Sequence, residues 1–210
     1  MIVVIGDVSA TGSVGEPRPA GLAAAVAHGA VADGGQVELV SRIGDDPVGD
    51  ALLLAIAAEG IGHVATLRDA AHATPLEAEA VEPLDPAAAE ADGGEPGPGP
   101  GGPELDGADV ALALRYLPEY GVVVVAHPSP TVLAEAGRAA AWASAHLVVL
   151  ARPTDPTDGA ADLPADALVL VADGSATGVA ATVGRYAAAV DAGTAPADAF
   201  DIAFEGLDGI

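Results

Sequence analysis

Cysteine and lysine are both missing from this 210-residue chain. Without a thiol there is no disulfide, no thiolate metal site and no cysteine nucleophile. Without a lysine there is no P-loop, whose lysine reaches the nucleotide phosphates. Basic residues of any kind are few: seven Arg face 31 Asp plus Glu, for a formal net charge of −24. So acidic a surface is a poor partner for nucleic acid, whose phosphates need Lys and Arg, and for an anionic membrane. Aromatics make up 3% of residues against 51% hydrophobic, so a globular core must come from Ala, Val and Leu. No apolar run is long enough to span a bilayer without a break. Met1-Ile2-Val3-Val4-Ile5-Gly6 lacks the basic start of a signal peptide and reads at once as a strand, which points to a cytoplasmic chain.

The scarcity of basic residues has its own cause. GC-rich coding removes Lys but normally raises Arg, and Arg is scarce here. Asp (19) also outnumbers Glu (12). That balance fits a salt-rich cytoplasm, where self-repulsion is screened within a few Å. The length suits one domain with a sizeable core, or one domain plus a tail.

What is present is an α/β rhythm, and Ala20 to Gly60 organises it. Leu22 to Ala32 has no helix breaker until Asp33-Gly34-Gly35, where glycine permits a left-handed turn. Gln36 to Ser41 is a short strand. Asp46 stands at the N-cap and Pro47 at the first position of a helix through Glu59, closed by Gly60. Ile61 to Leu67 leads to a further strand. Before this stretch, Ile2 to Ile5 is a wholly apolar run ending in Gly6-Asp7, the pattern of a buried parallel strand. Val8 to Pro19 is rich in Gly, Ser and Pro and reads as a loop. Asp85 to Leu105, acidic and dense in Pro and Gly, reads as a flexible linker. The rhythm then resumes with strands at Val110–Leu114, Gly121–Ala126, His146–Leu150 and Ala167–Ala172. A helix capped by Thr131 runs from Val132 to about Ala145, another ends near Ala192-Gly193, and a last one starts at Pro196. The fold expected is a doubly wound, mostly parallel sheet flanked by helices, forming one domain over residues 1–210. Ligands of such sheets bind outside the carboxyl ends of the strands.

Other chemistry is set aside on the residues. Gly6, Gly12 and Gly15 do not space as a dinucleotide fingerprint, and no G-x-S-x-G elbow occurs. His28, His63, His72, His127 and His146 are scattered, with no pair at metal-ligand spacing. Asp45-Asp46 reads as turn and capping chemistry. Trp142, amid alanines in a helix, reads as a core anchor.

The spacing Ala20-Gly21, Ala23, Ala27, Gly34, Gly44, together with Gly44-Asp45-Asp46-Pro47-Val48-Gly49-Asp50, Gly60-Ile61 and Ile2-Val3-Val4-Ile5-Gly6-Asp7, resembles the N-terminal signature of the PfkB/ribokinase carbohydrate kinases. The resemblance covers residues 1–75 well and the rest patchily. It implies a ribokinase-like fold, ATP and Mg²⁺ as cofactors, and a sugar or nucleoside substrate. It places sugar contacts at Asp7, Ser9 and Thr11 and at Gly21, with Ala25 where the family has an asparagine. Arg68-Asp69 and Thr74-Pro75 match text that is structural in the family. The lid strands of the family have no room between Asp7 and Gly21 or from Leu76 to Asp109, so the lid is expected to be absent.

The resemblance also carries disagreements. The family's Asn-x-x-Glu motif, which organises Mg²⁺, falls on Ala151-Arg152-Pro153-Thr154-Asp155, leaving Asp155 as the one acid nearby. Its anion-hole loop falls on Asp173-Gly174-Ser175-Ala176-Thr177-Gly178-Val179. With Asp173 and Gly178 kept in frame, and Gly174 beside them as a further anion-hole candidate, the catalytic aspartate falls on Val179 or, one residue shifted, Ala180. Neither accepts a proton. The expectation is therefore a carbohydrate-kinase-like protein with weak or no phosphotransfer. Two alternatives stand beside it: a live kinase that uses Asp155 and Asp173, and a structural subunit buried in a homodimer or against a partner protein.

Overall fold

A computed structural model describes residues 1–77, 102–117, 119–153, 163–172 and 176–205. Its centre is β1 (Ile2–Ile5), every residue of which is buried. On one side β1 pairs with β4 (Val37–Gly44), which pairs with β5 (Thr66–Asp69). On the other it pairs with β7 (Val122–Ala126), then β8 (His146–Ala151), then β9 (Leu168–Val171). All five pairings are parallel, with Ile2 opposite both Val37 and Val122. Continuous Val/Ile/Leu runs form such strands because both faces are covered. Side chains alternate between two cores. Ile2 and Val4 join the core under α1 (Leu22–Ala32), α2 (Pro47–Ala58), α5 (Ala176–Asp191) and α6 (Pro196–Phe204). Val3 and Ile5 join the core under α3 (Gly107–Tyr116) and α4 (Pro130–Ala143).

Helices α1 and α5 cross at glycine. A Cβ at Gly184 would meet the Val26 carbonyl and lie 2.6 Å from Ala30 N, and one at Gly29 would lie 2.8 Å from Ala181 Cα. Backbone therefore rests on backbone. At the foot of α5, Tyr186 is buried against Phe200 and Phe204, which stack at 4.5 Å. His146 Nε2 lies 2.8 Å from the Tyr186 hydroxyl. Burial lowers the pKa of His146 and raises that of Tyr186.

Four expectations are corrected. Residues 8–19 are not a loop: β2 (Ser9–Ser13) and β3 (Glu16–Ala20) form a hairpin across Val14-Gly15, and β6 (Leu76–Glu77) adds to β2 in parallel. A small three-stranded sheet thus stands where no lid strands were expected. Its prolines hide it from the sequence pattern, yet β3 is an edge strand. Pro17 and Pro19, two apart, turn the same side of the strand outward, where no N–H is needed. Val110–Leu114 is helix, not strand: Asp106 accepts from Asp109 N while Asp109 accepts from Asp106 N, a capping box that starts α3. Ser129, not Thr131, caps α4. Trp142 is 88% exposed and anchors nothing in the core. Of the expected linker, residues 85–101 lie outside the described residues, while its last residue, Leu105, is buried in the α3–α4 core.

Candidate functional site

The strand order reverses between β1 and β7, the place where an open α/β sheet leaves a crevice. A cavity of about 280 Å³ lies there, lined by Asp7 after β1, His127 after β7 and Arg152 after β8. Ser9 at the start of β2, Gly21 before α1, Pro75 before β6 and the Gly102-Pro103-Glu104 segment complete its wall.

Three of the sequence-derived positions meet in this cleft: Asp7, Ser9 and Gly21. Gly21 has φ +96°, and a Cβ there would lie 3.3 Å from the Asp7 carbonyl. Only glycine fits that conformation without strain. Thr11 lies deeper in the hairpin, paired with Arg18, and Ala25 packs against the core through α1; neither lines the cleft. Gly178 is in the first turn of α5 with open space around it. Val179 packs against the core and Ala180 is fully buried. Asp155, Asp173 and Gly174 lie outside the described residues.

Asp7 reaches solvent at the cleft mouth, yet protein crowds it closely enough to raise its pKa. Desolvation is the larger effect and Glu104 adds repulsion, against the opposing Leu105 N–H and His127 charge. A carboxyl tuned upward in a cleft is a feature of functional sites. His127 holds φ +60°, a left-handed conformation that costs energy for a residue with a Cβ. Its backbone N–H donates to the Leu150 carbonyl at 2.9 Å, which fixes that turn. Sequence reading missed His127 and Arg152 as site residues. Their place directly after buried strands was the available signal.

The cleft is braced from the side by the Gly44–Gly49 segment. Asp46 Oδ1 accepts from Gly49 N at 2.7 Å and Oδ2 from Thr74 N at 2.6 Å, while Thr74 Oγ1 accepts from Gly44 N at 3.0 Å. Burial works against ionisation of Asp46, but these hydrogen bonds outweigh it and lower its pKa. The knot ties the start of α2 to Thr74, next to Pro75 in the cleft wall. Arg68 binds Asp45 and Asp50. Asp69 is held acidic first by the Ala71 N–H and then by His72. Asp45-Asp46, Arg68-Asp69 and Thr74-Pro75 are thus structural here.

Chemically, the cleft offers a carboxylate, a hydroxyl and an imidazole beside an arginine, a set able to bind a polyhydroxylated molecule. Among the described residues no three His, Asp or Glu side chains group closely enough to hold a metal ion. No described helix is long and apolar enough to cross a membrane.

No protein-family profile and no curated protein matches the chain. Solved structures do. A protein called Sa239 superposes with a TM-score of 0.65 at 13% identity, over 96% of this chain and 90% of that one. Arabidopsis thaliana ribokinase, complexed with ribose and ATP, gives 0.60 at 13% identity over 96% and 89%. A PfkB protein from a Polaromonas species gives 0.56 at 21% identity over 86% and 68%. The chain has the α/β ribokinase-like fold of the PfkB-type sugar kinases.

Proposed function

We propose that this chain is a single-domain PfkB-type carbohydrate-kinase-like protein that binds a sugar or nucleoside in the β1–β7 cleft, with weak or no phosphotransfer. The observation that carries the reading is the pairing of a kept cleft with a lost base. Asp7, Ser9 and Gly21 converge at the switch point, while the family's aspartate position falls on Val179 or Ala180, which pack in the core. Loss of a general base costs about 10²–10⁴-fold in rate. The acidic composition supports a cytoplasm of high salt as its setting.

A live kinase is the second reading, and Asp7 favours it. It is a cleft carboxyl with a raised pKa, the direction a proton acceptor working near neutrality needs. The test is thermal stability in molar KCl with a panel of sugars and nucleosides, with and without Mg-ATP, alongside ADP release. A ligand of the native state raises the melting temperature by linkage. A shift with a sugar or nucleoside and no ADP release supports the binding reading. Turnover that vanishes in Asp7→Asn supports the kinase. No shift with any compound overturns both.

A further inference from the structure

The chain's one tryptophan points away from the cleft. Trp142 on α4 is 88% exposed, Tyr116 on α3 is 76% exposed and Leu112, one helical turn before Tyr116, is 44% exposed. Between α3 and α4 runs a groove of about 710 Å³ whose wall is mainly apolar and includes Trp142. Four charged residues line it, Arg115 and Arg138 against Glu119 and Glu135, so the groove is neutral on a chain of net charge −24.

The charges there are unevenly satisfied. Arg138 pairs with Glu135 at 2.6 Å. Elsewhere Arg42 pairs with Asp69 and Asp109, Arg68 with Asp45 and Asp50, and Arg185 donates to Thr182 and the Ala203 carbonyl. Arg18 and Arg152 are also engaged. Arg115 has no partner among the described residues, and neither has Glu119 four residues on. One groove thus presents an exposed tryptophan, an unsatisfied cation and an unsatisfied anion, with the exposed Tyr116 on the same helix as Arg115.

We propose that the α3–α4 face is the isologous interface of a homodimer. Trp142 of each copy enters the groove of the other, and Arg115 pairs with the partner subunit's Glu119. The occupant is a second copy because the face carries one cation, Arg115, and one anion, Glu119, without partners among the described residues, a pair that a twofold axis can set against its own counter-charges. Trp, Tyr and Arg are the residue types that dominate such contacts. Two molecules of −24 repel through an acidic surface, and a neutral groove is where close approach adds no like charge. The interface lies on the helix layer opposite α1 and α5 and does not depend on what the cleft binds.

Sedimentation equilibrium of the full chain from about 1 to about 100 µM, in about 0.15 M and about 2 M KCl, tests it. The expected result is a dimer, tighter at high salt as the general repulsion is screened, with Trp142 emission moving to the blue as the dimer forms. Trp142→Glu, at an exposed position checked for folding by circular dichroism, raises the dissociation constant about 30-fold or more. Arg115→Glu also weakens the dimer, and Arg115→Glu with Glu119→Arg restores it. A monomer at every concentration and salt overturns the proposal. A dimer indifferent to Trp142→Glu overturns it too, as does a charge swap that fails to rescue Arg115→Glu.

Discussion

Replacing Gly184 by alanine should destabilise the fold, although the same change in an open helix stabilises it. Helix propensity alone favours Gly→Ala by about 0.8–1.0 kcal/mol. Against this, the new Cβ would lie 2.6 Å from Ala30 N and 2.9 Å from Gly29 C, both backbone atoms that cannot rotate away. An ordinary contact needs about 3.4 Å or more, so α1 and α5 must part by roughly 1 Å. Over about 100 Å² of helix contact that opens about 100 Å³, and at about 24 cal/mol per Å³ the cost is about 2.4 kcal/mol, plus about 1 kcal/mol for residual overpacking. Subtracting the propensity gain leaves a net loss of about 2–3 kcal/mol. A chain of this size then melts about 4–12 °C lower. Gly178→Ala is the control on the same helix. Nothing stands within 4 Å of its added Cβ, and it should gain up to about 1 kcal/mol. Calorimetry of the two variants beside wild type gives the answer. A Gly184→Ala protein that melts with or above wild type would refute the close backbone crossing.

Asp46→Ala removes a helix cap and leaves Thr74 N without its acceptor; urea titration should show a loss of about 2 kcal/mol. His146 is held neutral by burial beside Tyr186, so the unfolded chain binds the extra proton, and stability should fall as pH drops below about 6.5, by at most 1.4 kcal/mol per pH unit. Tyr186→Phe removes the hydroxyl that lies 2.8 Å from that imidazole, with a loss of about 1–3 kcal/mol by denaturation at neutral pH. Asp7, with its pKa raised, binds protons more readily folded than unfolded, so its stabilisation is present in acid and lost as pH rises. Asp7→Asn should therefore melt higher than wild type at pH 7, with the gain vanishing in acid below the unfolded carboxyl pKa, while sugar or nucleoside binding is weakened.

The buried parallel strands were readable because each element announces itself locally. Val122–Ala126 has no polar residue, and Asp46-Pro47 spells a cap and first turn. The hairpin at residues 9–20 was not readable, because proline argues against a strand unless one knows it lies at an edge, and edges are decided by partners distant in sequence. In α3 the apolar run Val110–Leu114 suits a strand and a helix equally, and the reciprocal Asp106–Asp109 cap decides it. Trp142 was misplaced because a large aromatic among alanines looks like core until the neighbouring helix is known. Asp7, Ser9 and Gly21, which line the cleft, were singled out through the family likeness. His127 and Arg152 come together there only because β7 and β8 are laid beside β1, and nothing local to either residue says so.

The α1–α5 crossing joins parts of the chain about 150 residues apart. During synthesis at about 5–20 residues per second, α1 therefore waits roughly 8–30 s before its partner helix exists. Through that interval its stripe of Ala and Val has only the first strands to lie against, and the nascent chain carries apolar surface that could stick to a neighbour. Its dense negative charge, acting between ribosomes as much as between finished molecules, keeps such chains apart until Gly184 closes over Gly29.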